Sequence, residues 1–321
     1  MVILANKNNE IDSAYHTLVK HIETDKTIVM VSWAENFQFN EQLLSIKDYI
    51  LVCYCEYGYD HDFGKTGTHI WGCNSVKFPR YYKGDWIKFD DWVKKTPPSL
   101  IFKREFIKDD FTINYSHNLV TIKPIDYTTN LDPIPLQSEE DFNSRPITAC
   151  YYFGRSHEGR LKTHASIWEG ATKYGYSVCD NMYYFNGFMN FQEGRKYVSM
   201  YIPHYQRHPI ETVLSINGMA KIGFAPMGAG QKTFRAAEVS CNSVMLMWND
   251  NLAWGYDWVN GVNCFKCNPG EEVELIETLI NSMGILYDVY KKGVENWNKY
   301  RTTNYISNYI NPIIKNNGWT E

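Results

Sequence analysis

Apolar runs bounded by turn residues punctuate this chain, and their lengths predict alternating strands and helices. Residues 27–34, Thr-Ile-Val-Met-Val-Ser-Trp-Ala, and 49–55, Tyr-Ile-Leu-Val-Cys-Tyr-Cys, are unbroken runs of strand length. Runs of this kind suit strands buried on both faces of a parallel sheet. A short helix is expected between them at 38–46, and further strands at 100–102 and 119–122. Farther along, strands are expected at 147–153, 197–202, 221–225 and 244–248. Helices are expected at 160–173, at 210–217, from 235 onward, at 271–290 and at 294–314.

Residues 128–146 hold Pro133, Pro135, Pro146 and the acidic run Glu139-Glu140-Asp141, which reads as a linker. The expected division is therefore 1–144, 145–293, and a final segment 294–321 whose helix crosses back to the first domain. Strand and helix alternate in both halves. That pattern predicts an α/β protein of two doubly wound, Rossmann-like domains facing across a cleft.

The chemistry is concentrated at Gly230-Gln231-Lys232-Thr233-Phe234-Arg235-Ala236-Ala237-Glu238, where a glycine-bearing loop runs into a helix. Arg235 and Glu238 stand three apart on one helical face, a spacing that also makes ordinary solvated surface pairs. Gly228 and Gly230 favour a ligand, because glycine lets a backbone approach one closely. Such a loop and helix start suit a nucleoside diphosphate, with Gly230, Lys232 and Thr233 beside it. Arg235 can fork two phosphate oxygens, and Glu238 can accept from a ribose diol. A second polar loop, Gly154-Arg155-Ser156-His157-Glu158-Gly159-Arg160, follows the strand at 147–153. Its two arginines suit a pyrophosphate leaving group.

In these blocks the second half resembles the nucleotide-binding domain of the GT-B glycosyltransferases, the phage DNA β-glucosyltransferases in particular. Phe234 to Glu238 with Ser243-Val244-Met245-Leu246 carries one block of that resemblance. Tyr152-Phe153-Gly154-Arg155-Ser156 with Arg160 carries the other. The resemblance implies that Arg155, Arg160 and Arg235 bind the diphosphate and Glu238 the ribose. The strand end Tyr201-Ile202-Pro203 would then meet the nucleobase. Many retaining members carry a second Glu eight positions before the ribose-binding one. Gly230 stands there in this chain, which favours inversion.

An inverting transfer needs a base for the acceptor hydroxyl. The segment after the strand at 49–55 offers Asp60 first, then Asp62 and His69. Acidic loop residues also serve simply to cap turns. Residues 77–95 interleave six basic side chains with six aromatics, a mixture that binds single strands or glycans or packs against a core.

Composition adjusts this reading at a few points. The chain of 321 residues is 44% hydrophobic, with 24 Tyr and 10 Trp, and is expected to be globular. A net charge of −4 argues against a strong non-specific DNA binder. The eight Cys include one C-x-x-C, Cys264 and Cys267, with no second pair at zinc-ribbon spacing, so reduced buried thiols and no metal site are expected. No apolar run approaches the ~18–20 residues of a membrane span, and none at the start resembles a signal peptide. The expected setting is cytoplasmic, the host's if the chain is viral. The donor is expected to be a nucleotide-sugar co-substrate, UDP-sugar favoured, with no tightly bound cofactor. The acceptor is DNA carrying a hydroxymethylated base, or a glycan. A non-catalytic sugar-nucleotide-binding module and an epimerase are the rival classes. No G-x-G-x-x-G follows the first strands, which argues against an NAD-type enzyme.

Overall fold

Alternate residues of three central strands enter two different cores. In β2 (Thr27–Val31), β3 (Tyr49–Cys53) and β4 (Leu100–Lys103), one set is Ile28, Met30, Ile50, Val52, Leu100 and Phe102. It packs with Leu18, Ile22, Tyr305, Ile310 and Ile314. The other set, Val29, Val31, Tyr49, Leu51, Cys53 and Ile101, packs with Leu43, Phe89, Trp92 and Val93. A strand sends successive side chains to opposite faces, so an unbroken apolar run is what a sheet covered on both sides requires.

The computed structural model describes residues 1–4, 18–31, 38–53, 88–89, 91–104, 111–115, 118–132, 135–151, 169–170, 173–175, 178–180, 210–226, 232–250 and 252–317. Among these, β1 (Val2–Leu4), β5 (Phe111–Tyr115) and β6 (Asn118–Pro124) complete a six-stranded sheet. Its order is β1-β2-β3-β4-β6-β5, parallel except for β5 against β6. A second sheet holds β7 (Ile147–Tyr151), β8 (Val178–Asp180), β9 (Ala220–Phe224), β10 (Val244–Trp248) and β11 (Phe265–Cys267). Its order is β11-β10-β9-β7-β8, all parallel. The winding direction reverses between β7 and β9, which are hydrogen-bonded neighbours.

Among the described residues a 3-10 helix, Glu41–Ser45, lies in the stretch expected to be helical at 38–46, and the α-helices include α1 (Glu139–Asn143), α2 (Ile210–Gly218), α3 (Arg235–Ser240), α4 (Glu272–Ile280), α5 (Met283–Lys299), α6 (Thr302–Tyr305) and α7 (Asn311–Asn316). A π-helical turn, Ile306–Ile310, lies between the last two. Ser138 caps α1, its hydroxyl accepting from Asp141 N–H at 3.1 Å. The apolar faces of α4 and α5 cover Tyr151, Phe224, Leu246 and Trp248 of the second sheet. On its other face, Met245 and Met247 of β10 and Val239 of α3 join the same cluster as the first sheet. One core thus runs continuously from sheet to sheet.

Two expected helices are divided differently. The run at 271–290 is broken at Asn281 and Ser282. Asn281 turns its side-chain amide back onto Glu277 O at 2.9 Å, a local bond that competes with the helical ladder. The run at 294–314 is interrupted at Arg301, whose extended backbone bridges Thr129. Thr129 N–H donates to Tyr300 O, and Thr302 N–H donates back to Thr129 O. Beyond this bridge Tyr305, Ile306, Ile310 and Ile314 pack on the first sheet. The three-residue strands β8 and β11 are too short to register as a pattern.

Within the aromatic and basic stretch at 77–95, Phe89 and Trp92 are core residues. Trp92 stacks on Tyr49 with centroids 4.7 Å apart. Lys88, Lys94 and Lys95 point to solvent. Cys264 and Cys267 are buried free thiols, and burial pushes the Cys264 thiol up to about 12. No described helix is long and apolar enough to cross a membrane.

Candidate functional site

The carboxyl ends of β7 and β9 lie side by side at the point where the second sheet reverses its winding. Crevices outside such switch points are where open α/β sheets bind ligands. Both motif loops leave from this place: β7 ends at Tyr151, three residues before Gly154, and β9 ends at Phe224, just before the segment that leads into α3.

On α3, Arg235 and Glu238 meet as the spacing implies, Nη1 to Oε2 at 3.1 Å. Arg235 is only 6% exposed, whereas 30% of the Glu238 side chain is open to solvent. Asn217, fully buried near the end of α2, holds both residues. Its Oδ1 accepts from Arg235 Nη2 at 3.3 Å, and its Nδ2 donates to Glu238 O at 3.1 Å. Ser243 Oγ in turn donates to Asn217 O at 2.6 Å. The Arg235 guanidinium, expected to fork a diphosphate, is thus already bonded to two side chains. Its Nε–H is buried with no acceptor among the described residues. Glu238 is the member of the pair that presents oxygen outward.

Lys232 lies deeper. Its side chain and that of Asp126 are both fully buried, with Nζ 2.5 Å from Asp126 Oδ1. The ammonium also donates to Ile125 O at 3.3 Å and sits 4.9 Å from the Trp254 ring. The Lys232 ammonium is thus paired with a carboxylate from the first half. Thr233 Oγ1 donates to Pro226 O at 3.4 Å. Ala236 and Ala237 border a small cavity walled by Trp254, Trp258, Trp297 and Tyr300.

No family model matches the chain, and no curated protein matches it in sequence. Solved structures do match in shape. The N-terminal domain of a trehalose-6-phosphate phosphatase from Candida albicans superposes with a TM-score of 0.53 at 9% identity, covering 98% of this chain and 96% of that one. The apo structure of OtsA superposes with a TM-score of 0.51 at 9% identity, covering 95% and 76%. A further OtsA structure, a trehalose-6-phosphate synthase, gives 0.50 at 10% identity, covering 95% and 74%. The fold is that of the GT-B glycosyltransferases.

The described residues account for part of the expected site. Arg235, Glu238, Lys232 and Thr233 are on or beside α3. The candidate bases Asp60, Asp62 and His69 lie outside the described residues, as do Gly154, Arg155, Arg160, Tyr201, Pro203 and Gly230. Two residues that organise the site escape sequence reasoning. Asn217 stands before Gly218, and an Asn-Gly pair reads simply as a helix stop. Asp126 follows a strand and reads as one more turn carboxylate.

Proposed function

We propose that this chain transfers a sugar from a nucleoside-diphosphate sugar, UDP-sugar favoured, to an acceptor hydroxyl, with inversion and without a metal ion. The observation that carries this reading is the switch point between β7 and β9. Both motif loops follow the strands that meet there, and the partly exposed carboxylate of Glu238, on the helix after β9, is held by Arg235 and Asn217. Glu238 accepts from the ribose diol, with Arg235 fixing its orientation. Arg155 and Arg160, on the loop after β7, meet the diphosphate as its charge grows. Tyr201 and Pro203 flank the nucleobase. The acceptor oxygen attacks the anomeric carbon as the bond to the β-phosphate oxygen breaks. Its proton passes to Asp60, or to Asp62 or His69, in the segment that follows β3. The two halves, 1–144 and 145–293, hold acceptor and donor respectively, and 294–321 ties them together.

The test is a thermal-shift panel of UDP-, GDP-, ADP- and CDP-sugars, each with magnesium and with EDTA. A ligand that binds only the folded state raises apparent stability. One nucleotide is expected to give a shift that EDTA leaves intact. No shift with any of them at millimolar concentration would remove the donor assignment. The donor so found is then offered to DNA bearing hydroxymethylated bases and to glycans. Transfer to DNA, with binding that weakens steeply as salt rises, selects the nucleic-acid acceptor. Transfer that ignores salt selects the glycan, and binding with no transfer selects a non-catalytic module.

A further inference from the structure

Helix α3 reaches the first sheet through its lead-in, residues 232–234. Lys232 pairs with Asp126, and two residues on, the Phe234 ring lies against that of Tyr127 with centroids 3.9 Å apart. Consecutive residues of the segment leaving β6 thus grip alternate residues of the lead-in. The second carboxylate oxygen of Asp126 is also engaged, accepting from Gly255 N at 2.6 Å and from Tyr305 OH at 2.9 Å. Burial first, and then this carboxylate, push the Tyr305 phenol well above its ordinary value, so it remains a donor. A Cβ on Gly255 would come within 2.7 Å of Asp126 Oδ2 and 2.5 Å of Tyr305 OH. No side chain fits there without displacing the carboxylate. Asp126 therefore joins β6, the lead-in of α3, the loop after β10 and the C-terminal helices at one point.

We propose that Asp126 is a positioning residue for the donor site: by docking the 232–234 lead-in it fixes α3, and with it Glu238, in the place the nucleotide requires. This rests on the donor reading of α3 given above. The pair is not explained by stability alone, because apolar residues of similar volume often replace a buried ion pair without loss. An ammonium and a carboxylate differ from apolar side chains in direction. They accept one placement of the chain, whereas apolar packing tolerates several.

The test uses the full chain and compares wild type, Asp126→Asn and the double variant Asp126→Leu/Lys232→Met. Amide hydrogen exchange is followed without ligand, and UDP binding is followed by calorimetry. In Asp126→Asn, protection of 235–240 is expected to fall about tenfold while β9 and β10 keep theirs. The UDP dissociation constant is expected to rise about tenfold, although Asp126 does not touch the nucleotide. If Asp126→Asn does not fold, the double variant, which buries no unpaired charge, carries the exchange measurement with the same expected loss at α3. Unchanged protection at α3 would overturn the proposal. So would a UDP affinity in Asp126→Asn that is unchanged or tighter, the outcome expected if Lys232, once released, contacts the diphosphate itself. Failure of the wild type to bind UDP would instead strike the donor reading, and exchange at α3 would still decide whether Asp126 docks it.

Discussion

Arg145→Met is expected to lower the stability of the chain by about 3–5 kcal/mol, the cost of orphaning several buried acceptors at once. Arg145 is buried just before β7. Its Nη1 donates to Ala220 O at 2.6 Å and to Asn242 O at 2.7 Å. Its Nε and Nη2 both donate to Gln137 Oε1, at 2.9 and 2.7 Å. The guanidinium carbon lies 4.7 Å from the Phe142 ring centroid and 4.9 Å from that of Tyr290. One side chain thereby ties together the amino-terminal ends of β7, β9 and β10. Burial depresses the guanidinium pKa, yet the charge persists because it starts so far above neutrality. Urea titration should show the loss directly, with a melting temperature lower by about 4–7 °C. Arg145→Lys should recover little, since an ammonium cannot reproduce the planar fork. A change below about 1 kcal/mol would mean that the Ala220 and Asn242 carbonyls find other donors. The clamp lies at the amino-terminal ends of these strands, and the switch-point crevice lies at their carboxyl ends, so nucleotide affinity per folded molecule should be unaffected.

The second large effect concerns Glu238. Glu238→Ala is expected to weaken nucleotide-sugar binding about 100-fold, as two hydrogen bonds to a charged acceptor are lost. Glu238→Gln, which keeps one acceptor for Arg235 and one for the ribose, should weaken it about tenfold. Stability should change little in the Gln variant, because the Arg235–Glu238 pair is partly open to solvent and such pairs contribute about 1 kcal/mol or less. Calorimetry with the nucleotide selected by the thermal-shift panel measures both. Wild-type affinity in Glu238→Ala would take this residue out of the donor site.

The elements that sequence reasoning found best are those whose environment is simplest. β2, β3, β4 and β10 are parallel strands covered on both faces, and each is an uninterrupted apolar run. By contrast, β5 is an antiparallel edge strand, and β8 and β11 are three residues long. Such segments carry too few residues, or too mixed a pattern, to stand out. The same contrast holds at the site. Arg235 and Glu238 are three apart on one helix, so their meeting is a local consequence of helical geometry. Asn217 reaches α3 from 18 residues away, and Asp126 reaches its lead-in at Lys232 from 106. Nothing local marks such residues, because their polarity is satisfied only by tertiary contacts. The inward commitment of Lys232 is hidden for the same reason.

The C-terminal crossing also bears on how the chain is made. One face of the first sheet is closed by Tyr305, Ile306, Ile310 and Ile314, yet Ile28 and Ile50 leave the ribosome long before those residues exist. At about 5–20 residues per second, the earliest strands wait tens of seconds for the side chains that cover them. The second sheet needs only residues up to Val294 for its helical face, so it can close first. Vectorial synthesis therefore delivers the first half of this protein as the last to be sealed, with an apolar sheet face open to chaperones, or to a neighbouring nascent chain, in the interval.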